Sequence, residues 1–267
     1  MIEILRAGVA TTFQDAGRPG WAHIGVGAAG VVDPDLAALV NRLAGNEPSA
    51  VVIETCGGFE FLAHEPSLVA TTDELAPVRL SPGQSMVVRP GAHGRLWQYI
   101  AIRGGFEVPR ALGSASYDTL SGLGPPPPSV GQRLVAGTSS ASFSAVDHAP
   151  LRELADTARV MPGPRRNWFT EASWAALGAE TWTVTATSRV GVRLAGGVIE
   201  REVARELPSE GLVRGALQVP PGGEPVMMLA DHPTTGGYPV IGVVHPEDVA
   251  LVAQHSGGRS IRFRHYV

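Results

Sequence analysis

The chain has no lysine: all 21 of its basic residues are arginine. That excludes a Schiff-base lysine, a P-loop lysine and a lysine carrying covalent biotin or lipoate, so a lysine-tethered cofactor has to arrive on a different polypeptide. Cysteine is nearly as scarce. The single Cys56 permits no internal disulfide, as in a reducing compartment, and residues 51–58 around it read as a strand entering a turn, which favours a buried, inert thiol over a nucleophile. No Cys/His spacing resembles a zinc site and the eight histidines are scattered, so no metal site is expected on this chain. No apolar run approaches the ~20 residues that cross a bilayer, and residues 1–6 lack a signal-peptide layout; a cytoplasmic protein is expected. With a formal charge of −4 and no basic stretch beyond Arg165-Arg166, nucleic acid and membranes are poor partners.

What the chain does contain is glycine, 33 residues, and proline, 22, in a total of 267. Short strand-like runs lie between them, at 2–7, 21–26, 51–55, 59–63, 67–71, 85–89, 96–103, 159–161, 181–187, 226–230 and 260–266. Residues 181–187 alternate hydroxyl and apolar side chains, as a half-buried strand should. The spacing predicts a mainly β fold with a few short helices (α+β), built as barrels or sandwiches and not as βαβ units. Helices are expected after Asp33-Pro34, closing at Gly45; after Thr170-Glu171, closing at Gly178; and after Pro246. The proline run 125–128 and the small polar stretch 137–147 mark an exposed excursion, with a lobe boundary near 150–158: lobe 1 spans about 1–152 and lobe 2 about 153–267. Gly-Gly-Phe-Glu occurs at 57–60 and again at 104–107, too short a match to claim a repeat.

Five glycine-containing stretches stand out, and four of them carry polar side chains. Gly25-Val26-Gly27-Ala28-Ala29-Gly30 has the letters of a dinucleotide fingerprint, but the helix begins after it, at Asp33-Pro34, so Rossmann-type binding is rejected. Residues 11–20 crowd Gln14, Asp15 and Arg18 into one loop, where Arg18 either binds a carboxylate or phosphate or pairs with Asp15 to fix the loop. The stretches 188–194 and 209–220 add two arginines and a further polar corner. Asp231-His232-Pro233-Thr234-Thr235-Gly236-Gly237-Tyr238-Pro239 follows an apolar run, and the paired glycines give the main chain access to positive φ or to close approach of a ligand.

Taken in order, these segments resemble the carboxyltransferase A/B family, also called allophanate hydrolase subunit 2, which includes KipA-like proteins, the C-subunit of bacterial 5-oxoprolinase and part of urea amidolyase. The matching pieces are residues 11–20, 25–30 with Asp33, 41–46, 102–109 with 112–114, 161–164, 189–194, 215–220 and 234–239, then Ala253-Gln254 and Arg262-Phe263. The chain departs from the family's usual pattern at Ser188, Val190, Pro233 and Val240, and in the 29–33 stretch. The resemblance implies two cyclophilin-like β-barrel lobes and a partner of the KipI or B-subunit type, with a third protein of the LamB/YcsF type.

The function it implies is that of the C-subunit of an ATP-dependent 5-oxoprolinase acting on a lactam or amide, with ATP and Mg at the complex. Alternatives are a biotin-dependent carboxyltransferase acting on urea or a related amide, with biotin on a separate carrier, and a non-catalytic KipA-type antagonist of a kinase inhibitor. Activation of a lactam by phosphorylation calls for anion binders and oriented backbone donors. Asp15, Asp33 and Asp231 are the expected catalytic residues, as acid/base groups or as ligands for Mg²⁺. Anion binding falls to Arg18 and Arg193, orientation to Gln14, Gln218 and Tyr238, and donor and polar contacts to Thr234, Thr235, Gly236 and Gly237.

Overall fold

The computed structural model describes residues 1–139 and 151–266, and the expected excursion beyond residue 139 lies outside them. The chain divides into two compact units, Met1–Pro19 with Ala29–Arg152, and Gly20–Ala28 with Glu153–Val267.

The first unit carries β1 (Ile2–Ala7), β2 (Thr12–Gln14), β3 (Val52–Thr55), β4 (Phe59–Ala63), β5 (Ser67–Thr71), β6 (Pro77–Leu80), β7 (Ser85–Val88), β8 (Gln98–Ile102) and β9 (Arg133–Leu134). They form a four-stranded sheet in the order β7-β4-β1-β9 and a five-stranded sheet in the order β2-β3-β8-β5-β6. Alternation decides which side chains face inward. Ile2 and Ile4 of β1 and Phe59 and Phe61 of β4 are buried, and they share one core with Phe13, Ile53, Ile100 and Ile102 of the other sheet. Helix α1 (Pro34–Leu43) starts at the expected cap: Asp33 Oδ1 accepts a hydrogen bond from Leu36 N at 3.1 Å, and Pro34 fills the first turn. Its face of Leu36, Ala37, Val40 and Leu43 is buried against β8 and β5.

The duplicated Gly-Gly-Phe-Glu is one turn used twice. Gly57 and Gly58 have φ of +102° and +73°, and Gly104 and Gly105 have +95° and +70°. In both copies the chain leaves the pair straight into a buried phenylalanine, Phe59 or Phe106. Sterics demand glycine as much as the torsion does: a Cβ on Gly57 would lie 2.3 Å from Pro90 Cα, and one on Gly104 would lie 1.9 Å from the Gly137 carbonyl oxygen.

The second unit is built from β10 (Thr157–Pro162), β11 (Trp182–Thr187), β12 (Gly191–Ala195), β13 (Glu210–Gly211), β14 (Ala216–Gln218), β15 (Val226–Met228), β16 (Thr235–Gly236), β17 (Val240–Val244) and β18 (Ser260–His265), with α2 (Glu171–Ala179) and α3 (Pro246–Ala253). Seven strands close a barrel in the order β10-β17-β14-β15-β12-β11-β18, the parallel pairing of β10 with β18 completing it. Strands β13 and β16 form a separate two-stranded ribbon.

Two local readings need correction. Residues 21–26 are not a strand. Gly25 N donates to Ala22 O and Ile24 N to Trp21 O, winding Ala22–Ile24 into a 3₁₀ turn that ends in a left-handed Gly25, with Trp21 stacked on His23. Gly178 does not close α2, which runs on to Ala179. It is glycine because a Cβ there would sit 3.0 Å from the ring of His265, itself stacked on Trp174 at 4.1 Å.

Because Gly57 combines a left-handed torsion with backbone contact on Pro90, Gly57→Ala should cost about 3 kcal/mol or more of unfolding free energy. Urea denaturation of the two proteins checks this, and an unchanged midpoint would refute the steric account.

Candidate functional site

In the second unit, the segments flanking the Gly-Gly corner are fixed by a buried ion pair. Arg189 donates from Nε to Asp231 Oδ2 and from Nη2 to Asp231 Oδ1, both at 2.8 Å, and neither side chain is more than 2% exposed. The two backbones are joined as well, Asp231 N donating to Arg189 O at 2.9 Å and Leu229 N to Val190 O at 2.9 Å. Asp231 therefore anchors the chain as it leaves β15 toward the corner. The two-point grip of a guanidinium favours the charged carboxylate and fixes its orientation, so the geometry gives Asp231 a positioning role, whereas the sequence reading expects acid/base chemistry of it.

The corner itself differs from the expectation in one respect. Neither Gly236 nor Gly237 adopts positive φ. Gly236 pairs with Glu210 across the β13–β16 ribbon, and a Cβ on it would fall 2.5 Å from Gln218 Nε2 and 2.8 Å from Leu212 Cδ1. Gly237 is exposed and has room for a methyl group, its nearest neighbour being Leu207 O at 3.7 Å. Gln218, buried on β14, donates from Nε2 to Tyr238 O at 3.0 Å, so the expected orienting glutamine holds the backbone of the expected orienting tyrosine. Thr234 O accepts from Leu212 N at 3.0 Å, and Thr235 is exposed in β16. Arg193 lies apart from this group. It is exposed on β12, where its neighbours in register are Ala186 and Val226.

The corner borders a cleft of about 880 Å³ that the sequence did not reveal, lined by Gly237, Tyr238, Arg201, Arg205, Glu200 and Glu206 among others. Arg201 reaches it from the bridge that its backbone makes with Phe169. Its Nη2 donates to Val219 O, its guanidinium carbon lies 5.9 Å from the centre of the Tyr238 ring, and its buried Nε has no acceptor. Burial lowers the Arg201 pKa from the usual arginine value, which the proximity of Tyr238 only partly offsets. Arg205 lies over Trp168 at 5.3 Å, and Arg165, 5.7 Å from the same ring, is tied to Glu210. The sequence signal available for these residues, Arg-Glu twice at a four-residue spacing in 201–206, has the form of a helical ion-pair ladder, but the segment is irregular.

The first unit gathers the other expected residues. Asp15, at the end of β2, accepts from five donors: Gly17 N, Ser114 Oγ and Ser116 Oγ on Oδ1, at 2.9, 2.5 and 2.8 Å, and Ala115 N and Arg110 Nη1 on Oδ2, at 2.7 and 3.0 Å. Burial alone would raise its pKa, but the hydrogen bonds from Ser114, Ala115, Gly17 and Ser116 prevail and hold it below the usual aspartate value. Arg18 does not pair with Asp15. It is buried, donating from Nε to Ala111 O at 3.2 Å and from Nη2 to Ser116 O, with Nη1 unpartnered. Gln14 Nε2 donates to Thr12 Oγ1 at 2.9 Å and Tyr117 O at 2.8 Å, leaving Oε1 without a donor. Thus Gln14, Asp15 and Arg18 all fasten onto residues 110–117.

Asp33 belongs to a separate buried network on α1. Its backbone N donates to Tyr99 Oη at 2.7 Å, Tyr99 Oη donates to Glu54 Oε2 at 2.8 Å, and Arg95 Nη1 lies 3.8 Å from Asp33 Oδ2. Burial above all, then Glu54 and Asp33, push the Tyr99 phenol well above its usual value. Among the described residues no group of three His, Cys, Asp or Glu side chains is placed to hold a metal ion.

The description carboxyltransferase domain, subdomain A and B, fits residues 24–265 as a family model. The chain belongs to this family. It is 32% identical to the 5-oxoprolinase C-subunit of Escherichia coli over 281 residues, which cover 98% of this chain and 90% of that protein. It is 30% identical to the urea amidolyase of Lachancea kluyveri, again over 98% of this chain but over 17% of the larger protein. Among solved structures, the Kluyveromyces lactis urea carboxylase superposes with a TM-score of 0.86 at 25% identity, over 98% of this chain and 27% of that one.

In this carboxyltransferase-domain chain, two of the positions that depart from the family pattern have local roles. Ser188 accepts from Val190 N at 3.3 Å and Gly191 N at 3.4 Å, closing the turn between β11 and β12. Val240 is buried in an apolar cluster with Leu212, Ala216 and Met228.

Asp231→Ala strands a buried guanidinium and should destabilise the protein by about 3–5 kcal/mol, as read by denaturant melts. Asp15, whose folded pKa is lowered, contributes stability that is fully present above the ordinary aspartate pKa and lost as pH falls through its lower folded value. Asp15→Asn should therefore be destabilised by about 2–3 kcal/mol at neutral pH, and its deficit should shrink toward acid pH. A deficit that is the same at neutral and acid pH would count against the charged hydrogen-bond hub.

Proposed function

We propose that the chain is the C-subunit of an ATP-dependent 5-oxoprolinase that opens a lactam or related amide together with further proteins of the complex. The observation that carries this reading is coverage: the chain matches 90% of the length of a 5-oxoprolinase C-subunit but only 17% of a urea amidolyase. Partners of the KipI or B-subunit type and of the LamB/YcsF type follow from that reading, as does a cytoplasmic setting. Among the described residues no helix is long and apolar enough to cross a membrane.

We place no Mg-ATP site on this chain: Asp15 already accepts from five donors, and Asp231 is gripped by Arg189. ATP and Mg are accordingly proposed for the assembly, and no step on this chain is routed through them. What this chain supplies is a rigid polar corner. Gln218 sets the backbone of Tyr238, the Asp231–Arg189 pair sets the approach to it, and Arg201 brings a positive charge to the adjoining cleft. An amide or lactam oxygen that gains negative charge during reaction is stabilised by fixed donors and cations of this kind.

The 30% identity to a urea amidolyase favours one second reading, biotin-dependent carboxyl transfer to urea or a related amide. Without lysine the chain cannot carry biotin, so a separate carrier would be required. Co-expression with the KipI-type and LamB/YcsF-type partners decides between them. ATP turnover should be stimulated several-fold by 5-oxoproline and not by urea; ATP turnover indifferent to 5-oxoproline would remove the proposal.

A further inference from the structure

We infer that the cleft beside Tyr238 is a carboxylate-recognition subsite, with Arg201 as its anchor and Arg205 at its mouth. The identity of the ligand, the carboxylate of a 5-oxoproline-like lactam, rests on the proposed function above; the subsite itself rests on how the arginines of the second unit are neutralised. Four of them that are partly or wholly withdrawn from water each have a carboxylate: Arg159 has Asp248 and Glu247, Arg165 has Glu210, Arg166 has Glu171 and Arg189 has Asp231. Arg201 has none among the described residues. Its partners are a carbonyl oxygen and a tyrosine ring, and its Nε is buried without an acceptor. A partly buried guanidinium without a counter-ion is costly, and a carboxylate in the cleft supplies the missing charge and accepts from its accessible N–H donors.

The surroundings select among anions. Tyr238 stands beside the guanidinium and supplies an apolar face for a flat ring, and Gly237 adds a lining position without a side chain. Glu200 and Glu206 also line the cleft, and both are exposed. Two acids near two arginines leave the cleft close to neutral, so it accommodates a single negative charge at lower cost than a dianion such as phosphate. Urea, which has no charge, gains nothing from Arg201, so the subsite would also separate lactam acids from urea-like amides.

The test is equilibrium binding to the full chain, followed by tryptophan fluorescence, since Trp168 lies beneath Arg205. L-5-oxoproline should bind saturably, whereas 2-pyrrolidinone, the same lactam without its carboxylate, should bind at least about ten-fold more weakly. Arg201→Gln should abolish that discrimination. Arg205→Ala, at an exposed position where folding is not at risk, should weaken L-5-oxoproline several-fold and leave 2-pyrrolidinone unchanged. Equal binding of the two lactams, absence of saturable L-5-oxoproline binding, or discrimination that survives both substitutions would overturn the subsite. The two proposals fail separately. Turnover of 5-oxoproline by the complex with a KM indifferent to Arg201 would sink the subsite alone. Arg201-dependent carboxylate binding without turnover would sink the proposed reaction alone.

Discussion

The Arg189–Asp231 pair is the constraint on which the second unit depends. It joins the β11–β12 turn to the exit of β15 at a point where both side chains are sealed from water. A buried ion pair of this kind is weak evidence for stability, because an apolar pair of equal volume would often do as well. Its value is geometric. Two parallel N–H···O bonds tolerate little rotation, so the chain enters residues 232–239 in one direction only. Everything that makes the corner useful lies downstream of that direction: the packing of Gly236 on Gln218, the bond from Gln218 to Tyr238, and the position of Tyr238 beside Arg201.

The first unit solves the same problem with a carboxylate that is not paired to its buried arginine, Arg18. Asp15 draws on Ser114, Ala115, Ser116 and Gly17, with only the half-exposed Arg110 contributing a charge. Neutral donors can satisfy a buried carboxylate when enough of them converge. The two units thus use an aspartate at a loop entrance as an organising group. Both aspartates carry residue chemistry that reads as catalytic in a sequence, and in the structure both hold loop entrances in place.

That difference explains what was legible. The strands at 2–7, 59–63 and 67–71 and the cap of α1 were readable because each depends on side chains a few residues apart, through alternation or an N-cap. Strands β14 and β17 were not, since Ala216–Gln218 is too short to show a period and Val240–Val244 is interrupted by Gly242. The motif residues Gln14, Asp15 and Arg18 stood out by type, but their partners lie about a hundred positions away at 111–117, a distance over which local pattern carries no information. At Gly236 the sequence suggests positive φ or close approach of a ligand; what the structure shows there is contact with Gln218. The local mark that Arg201 and Arg205 carry, Arg-Glu at a four-residue spacing, points to a helix; only the fold sets one beside Tyr238 and the other over Trp168.

The strip Gly20–Ala28 lies inside the first unit's stretch of sequence and yet groups with the second. On the ribosome it emerges long before the strands of the barrel exist, and so it must wait, unpacked, while its own neighbours in sequence are already able to collapse. A cut after residue 152 would separate two halves of the gene without separating two folding units: the C-terminal piece would lack one of its own parts. Any attempt to express the barrel alone has to carry those nine residues with it, in trans or by rearranging the order of the chain.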